Sequence, residues 1–320
     1  MGLPFRTRVP AVAAPMFLVS GPDLVIAAAK AGIVGCFPTP NARPIATLEA
    51  WMDRISGELA DAAKANPTAI VGPWAANLIT HSSNARLPED LALVAKYEPP
   101  MIVTALGSPK PAVAVAKTYG GLVFADVIDV VFARKAIEAG ADGLVLVCAG
   151  AGGHTGHMSP FAFLSEVRKF HAGPVILGGG IGDGAGMAGA IAAGADLVYL
   201  GTRFIAASES LASPEYKEMV ARAGPNDILP SAAITGTTAN WLKPSLVANG
   251  YDPANMPANP GRDYDTGTAG AKRWANIWSA GQGVGTVEGV EPVSAIVDRL
   301  EREYLLAMAR VADLAAELRI

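Results

Sequence analysis

Residues 144–156 read Leu-Val-Leu-Val-Cys-Ala-Gly-Ala-Gly-Gly-His-Thr-Gly. An apolar run passes into Ala149–Gly153, which carry almost no side chain, and then into His154. Backbone this bare lets a planar ligand approach closely. A histidine directly after it can donate a hydrogen bond to a substrate oxyanion, or act as acid or base near neutral pH. Taken alone, His154 could equally be a loop histidine that caps a turn. His157 is expected to be exposed or to stand behind the site. Two further segments, Val-Ile-Leu-Gly-Gly-Gly-Ile-Gly-Asp at 175–183 and Leu-Val-Tyr-Leu-Gly-Thr-Arg-Phe at 197–204, are apolar runs that end in glycine. Loops of this kind bind phosphate through backbone N–H groups, and Gly179, Gly180, Gly201 and Thr202 are the candidate donors. There is no Walker sequence, and Gly178–Gly180 lacks the Rossmann spacing and the downstream acid. Two histidines without a cluster of carboxylates or thiols do not make a metal site, so no metal is expected.

The elements that must position these residues repeat along the chain. Apolar runs at Val12–Pro15, Ile33–Phe37, Ala69–Asn77, Met101–Thr104, Gly121–Ala125, Gly143–Cys148, Val175–Leu177 and Leu197–Leu200 alternate with Ala-rich amphipathic stretches. Continuous rather than alternating apolar runs predict strands covered on both faces, as in a parallel sheet. The intervening helices often end in Ala-Gly, and Ala-Gly-Ala-Asp occurs at both 139–142 and 193–196. Glycine after a helix takes the left-handed conformation and lets the next strand start at once. Eight such units predict an α/β fold, a (β/α)8 TIM barrel, with the glycine loops at its C-terminal mouth. A doubly wound sheet is the runner-up. After Ser208 the texture changes to proline-rich turns with Trp241, Trp274 and Trp278 among them. The expected division is a barrel over 1–208 and 286–320, with a small, mostly helical cap over 209–285. Glu291–Leu318 is expected to be a helix packed on the barrel, with Val293, Ile296, Val297, Leu300, Leu305 and Leu306 on or near one face.

The bulk numbers agree with a large enzyme core. Of 320 residues 51% are apolar and 17% charged, which allows a sizeable core without disulfides or metals. The net charge of −4 and the absence of a basic run argue against nucleic acid as a partner. Cys36 and Cys148 both fall in apolar runs and are read as two buried thiols. No signal peptide and no membrane span is expected, so the predicted location is cytoplasmic.

These motifs together resemble the nitronate monooxygenase (2-nitropropane dioxygenase) family of flavoenzymes. Ala13-Ala14-Pro15-Met16 is similar to the family's first loop on the flavin side, and Asn77 matches its flavin-binding amide. Ala151-Gly152-Gly153-His154 matches its most diagnostic motif, with His154 in the position of the catalytic histidine. Gly179-Gly180-Ile181 and Tyr199-Leu200-Gly201-Thr202 match its phosphate loops. Ser279–Gly283, with Gln282, resembles a late element that returns near the flavin. The resemblance implies FMN as cofactor and His154 as catalytic residue. It implies Ala14, Pro15, Met16, Asn77, Ala151, Gly152, Gly153, Gly179, Gly180, Leu200, Gly201, Thr202 and Gln282 as cofactor-binding residues. The activity it implies is oxidation of alkyl nitronates with O2. This chain has Val147 where close members usually carry Gln, and Gly150 where they carry Glu or a similar residue. The alternatives within the same barrel are a dehydrogenase or reductase of an enoyl- or acyl-CoA, or an NAD(P)H:quinone reductase. Arg203, Lys243, Arg262, Lys272 and Arg273 would then be candidates for coenzyme A phosphates. Lys272 or Arg273 is also a candidate to border the substrate.

Overall fold

The computed structural model of the chain describes residues 3–259, 261 and 274–318. Eight parallel strands close into a barrel: β1 (Ala11–Ala13), β2 (Val34–Pro38), β3 (Trp74–Ile79), β4 (Met101–Ala105), β5 (Leu122–Val127), β6 (Gly143–Val147), β8 (Val175–Gly178) and β9 (Leu197–Leu200). Closure is between the first and last, with Ala11 opposite Val198 and Ala13 opposite Leu200. The eight are the eight apolar runs of the sequence. Their ends differ most at β3, where residues 69–73 precede the strand.

The repeated Ala-Gly-Ala-Asp now has a physical account. Gly140 and Gly194 sit at φ +95 and +109, the left-handed turn that only glycine adopts cheaply. The aspartate that follows grips the neighbouring strand. Asp142 Oδ2 accepts from Val123 N–H at 2.8 Å, and Asp142 N–H donates to Val123 O at 2.8 Å. Asp196 makes the same pair of bonds to Val175, each at 2.8 Å. Each copy therefore ends a helix and sets the register of the next strand pair at the foot of the barrel.

The interior is apolar and fully packed in its lower layers, with Val34, Phe124, Val145 and Ile176 all at zero exposure. Apolar residues on the outer strand faces meet the helices, so the barrel is buried on both sides. The C-terminal helix Val293–Glu317 buries Val293, Ile296, Val297 and Leu300. Leu305 and Leu306, expected near the same face, are 58% and 72% exposed, because only the first turns of this helix lie on the barrel. There it approaches the helix Gly184–Ala192 so closely that a Cβ on Gly184 would stand 2.3 Å from Leu300 O.

The segment after β9 holds the helices Pro214–Arg222 and Lys243–Ala248, and also a hairpin that the sequence reading did not foresee. Strands β10 (Ile228–Ser231) and β11 (Ala239–Leu242) pair antiparallel, and β11 pairs in turn with β7 (Gly153–His154). This small sheet reaches out of the cap into the loop after β6. Trp241, fully buried, anchors it and donates from Nε1 to Ser231 O at 3.1 Å. Among the described residues no helix is long and apolar enough to cross a membrane.

Candidate active site at the barrel mouth

The loops after β6, β8 and β9 are tied together by backbone. Gly150, at φ +87, turns its carbonyl to accept from Gly180 N–H at 3.1 Å and from Gln282 N–H at 2.9 Å. Thr202 Oγ1 accepts from Gly281 N–H at 2.7 Å. A Cβ on Gly281 would fall 2.6 Å from Gly150 O, and one on Gly152 would fall 2.8 Å from Gly281 N. Glycine is needed at both because two main chains touch there. Asn240 of β11, buried itself, donates from Nδ2 to Ala151 O at 2.7 Å and fixes the same loop from the cap side.

The first loop joins on the other side of Gly201. Ala14 N–H donates to Leu200 O at 3.1 Å, and a Cβ on Gly201 would meet Met16 Sδ at 3.6 Å and Ala14 Cβ at 3.7 Å. Asn41 holds this loop. Its Nδ2 donates to Met16 O and Ser20 O, and its Oδ1 accepts from Leu18 N–H at 2.8 Å. Leu18 takes φ +62 inside that clamp, a conformation that costs a non-glycine residue about 1–2 kcal/mol. Asn77 stands across the mouth at the upper part of β3, with Nδ2 on Val103 O at 3.3 Å. The implied cofactor residues other than Asn77 thus form one connected rim, and Asn77 faces it.

His154 lies on β7, opposite Ala239 of β11. Its ring meets Trp274 edge-on at 5.3 Å between centroids, and Trp274 packs on Trp241 at 4.7 Å. No described residue hydrogen-bonds its ring nitrogens. The side chain is open to the concavity but ringed by protein. Solvent reaches its surface, while the surrounding mass strips away bulk water and holds its pKa below the ordinary histidine value. A neutral imidazole, with no hydrogen-bond partner among the described residues, is what remains at neutral pH.

Two expectations change. Gly180 N–H, a candidate phosphate donor, is already bound to Gly150 O. Arg203, a candidate for coenzyme A phosphates, is 3% exposed and ion-paired with Glu291 at 3.2 Å, so it holds the foot of its own loop instead. Lys243 donates to Asn226 O at 2.7 Å. Arg262, Lys272 and Arg273 lie outside the described residues. Cys36 and Cys148 are both buried free thiols.

The sequence profile of the nitronate monooxygenase family matches residues 4–303. The chain belongs to the nitronate monooxygenase family. Members are flavin-dependent oxidoreductases, and this family member is an oxidoreductase. It is similar to a nitronate monooxygenase of Paraburkholderia phytofirmans, 30% identical over 71% of the chain and 67% of that protein. It is also similar to a (3aS,4S,5R,7aS)-5-hydroxy-7a-methyl-1-oxo-octahydro-1H-indene-4-carboxyl-CoA dehydrogenase of Rhodococcus jostii, 29% identical over 77% of the chain and 66% of that protein. The matches thus span about two thirds of these relatives' lengths. The same fold occurs in a nitroalkane oxidase from Streptomyces ansochromogenes, with a TM-score of 0.78, 22% identity and coverage of 95% and 98% of the two chains. It occurs also in FabK from Thermotoga maritima, with a TM-score of 0.75, 23% identity and coverage of 96% of each.

The mouth of this nitronate monooxygenase family member fits a planar, phosphate-bearing group. Its rim is almost bare of side chains at Ala151–Gly153, Gly179–Gly180 and Gly201. Inside the rim, Ala105, Asp126, Val147 and Tyr199 are half-buried rather than closed over. Among them the buried Asp126 Oδ1 and Tyr199 hydroxyl have no hydrogen-bond partner.

Proposed function

We propose that the chain is an FMN-dependent nitronate monooxygenase that oxidises alkyl nitronates with O2. The observation that carries this reading is His154, neutral and without a hydrogen-bond partner among the described residues, on a strand paired with β11 beside the glycine rim. FMN would supply the redox chemistry, taking electrons from the substrate and passing them to oxygen. Gly179, Gly180, Gly201 and Thr202 would surround its phosphate. The loop Ala14–Met16, Asn77, Ala151–Gly153, Leu200 and Gln282 would border its ring.

The chain's own side chains then orient the substrate. A neutral imidazole at 154 offers one N–H to an oxygen of the nitro group and one lone pair to a proton. The edge contact with Trp274 limits rotation of the ring. Trp274, backed by the buried Trp241, presents apolar surface beside it, which favours exclusion of water from the reacting atoms.

One observation favours a second reading, hydride transfer to or from an enoyl- or acyl-CoA. A cavity of about 230 Å³ opens beside the mouth, lined among others by Phe17, Leu18, Leu211, Tyr216, Trp274 and Trp278. Its lining mixes aromatic and aliphatic side chains with Ser213 and Ser279, and its size suits an acyl body larger than a small nitronate. The test is a pair of assays on flavin-loaded protein: aerobic turnover of propyl-2-nitronate, and anaerobic reduction of the flavin by an acyl-CoA or by NAD(P)H. Oxygen-dependent nitronate turnover supports the first reading. Anaerobic reduction without nitronate turnover overturns it in favour of the second, or of a quinone reductase when NAD(P)H is the donor. The purified protein should release FMN on denaturation, and release of FAD would contradict the cofactor assignment.

A further inference from the structure

Strand alternation fixes what lies on the floor of the mouth. Phe124, Val145 and Leu197 face the barrel interior and are buried. Asp126, Val147 and Tyr199 come two residues later on the same strands, so each is the next inward residue of its strand, toward the mouth. Val147 and Tyr199 are half-buried, as is Asp126, which marks this layer as the one the mouth exposes. At the positions flanking Asp126 the chain places residues that suit a packed floor: Ala105 on β4 and, opposite Asp126 in register, Val145 on β6. At 126 it places a carboxyl group.

That carboxyl has no local reason to be there. Its Oδ1 is shut off from solvent and has no hydrogen-bond partner among the described residues, a state that destabilises the fold and needs an explanation. The Tyr199 hydroxyl from β9 is in the same state, and the Cys36 thiol from β2 lies beside it without the geometry of a hydrogen bond. Cys36 and Tyr199 are the ionisable groups coupled to Asp126. No described lysine, arginine or histidine compensates it, and burial alone pushes its pKa up to about 7. A floor built only for packing would carry an aliphatic residue here.

We propose that Asp126 sets the redox preference of the mouth: at mildly alkaline pH it is an anion beneath an oxidised ring and takes a proton from solvent when negative charge arrives on that ring. This rests on the flavin reading above. The electrons come from the substrate, or from dithionite in the test, and no bond to Asp126 other than O–H is made. An ionised carboxyl under the ring repels a reduced, negatively charged cofactor, whereas the neutral acid can donate to it. The Asn variant keeps the shape and loses the titration.

The experiment is the midpoint potential of bound FMN as a function of pH, by dithionite titration with a reference dye, for wild type and Asp126→Asn. One extra proton per two electrons changes the ratio of affinities for reduced and oxidised FMN tenfold per pH unit, or about 30 mV. The two curves should meet at pH 6 and separate above pH 7 by up to that slope. Parallel curves over pH 5.5–9 in two proteins that both bind FMN would overturn the role of Asp126 and leave the flavin reading standing. Absence of FMN binding in wild type would overturn both. Should the Asn variant fail to fold, wild-type apo-protein carrying 13C-carboxyl aspartate gives the second measurement. A resonance titrating near 7, absent from Asp126→Ser, is expected. A set in which every carboxyl titrates below 5 overturns the proposal.

Discussion

Around β6, β8 and β9 the mouth of the barrel is walled by backbone, and around β2, β3 and β5 it is walled by side chains. On the first side the carbonyl of Gly150 alone ties three loops together through Gly180 and Gln282. On the second, Asn77, Asp126 and Cys36 point inward from regular strand positions. Amide groups do not titrate and hardly rotate, so the backbone wall keeps one shape and one charge at every pH. Side chains titrate and can be exchanged one at a time without moving the chain. The difference suggests a division of labour: the backbone wall would fix where a cofactor sits, and the titratable side chains, with His154 on the loop after β6, would set what happens there.

The largest expected effect falls on His154. Replacement by Asn keeps a polar group and removes the acid–base pair. Turnover should fall by about 10²-fold or more while FMN stays bound. Because burial holds the wild-type imidazole below its ordinary pKa, it stays neutral through neutral pH, and the acid limb of kcat/KM should lie below the usual histidine range. A variant that loses flavin together with activity would move His154 from the chemistry to the scaffold.

A change in the backbone wall should act in the opposite way. Gly281→Ala puts a Cβ within 2.6 Å of Gly150 O and 2.9 Å of Gly152 N. The two loops must separate, at a cost of about 1–3 kcal/mol, typical of overpacking. Thermal stability and FMN affinity should both drop, and the pH profile of the remaining activity should keep its shape. A shifted pH profile would break the distinction between the two walls.

The smallest effect belongs to Asp126 in the apo-protein. Its folded pKa, about 7, lies above the ordinary carboxylate value. Between those values the folded chain binds more protons than the unfolded chain, so this group's contribution to stability is lost as pH rises through the window. Asp126→Asn should therefore match wild type near pH 4 and exceed it at pH 8. After allowance for partial contact with solvent, the gain is about 1 kcal/mol or about 1–2 °C in Tm. Equal melting temperatures at both pH values would count against an ionisable floor.

Much of this molecule is legible locally. All eight barrel strands lie in apolar runs, and the Ala-Gly-Ala-Asp units announce their helix ends. The glycine rim is written in three short segments. These features depend on the conformations of adjacent residues, and neighbours in sequence carry that information. The strand reading that stopped at Ala125 missed Asp126, although an acid inside the apolar run Leu122–Val127 was the available signal. Asn41 and Asn240 gave no signal at all, because each holds a loop remote in sequence. Asn41 lies more than twenty residues from Leu18, and Asn240 reaches Ala151 from the other end of the cap.

The sequence by itself determined the parallel barrel, the bare loops at its mouth, the two buried thiols and the histidine that follows the glycines. Only the tertiary structure decided which groups are free to act. Closure of the barrel turned Asp126 and Tyr199 onto one floor. Pairing of β7 with β11 set His154 against Trp274. Burial with Glu291 withdrew Arg203 from any ligand. Each of these outcomes depends on strand register or on a partner far away in the chain. A residue's type fixes what chemistry it can do, whereas exposure and partners, which depend on the whole fold, fix whether it is left free to do it.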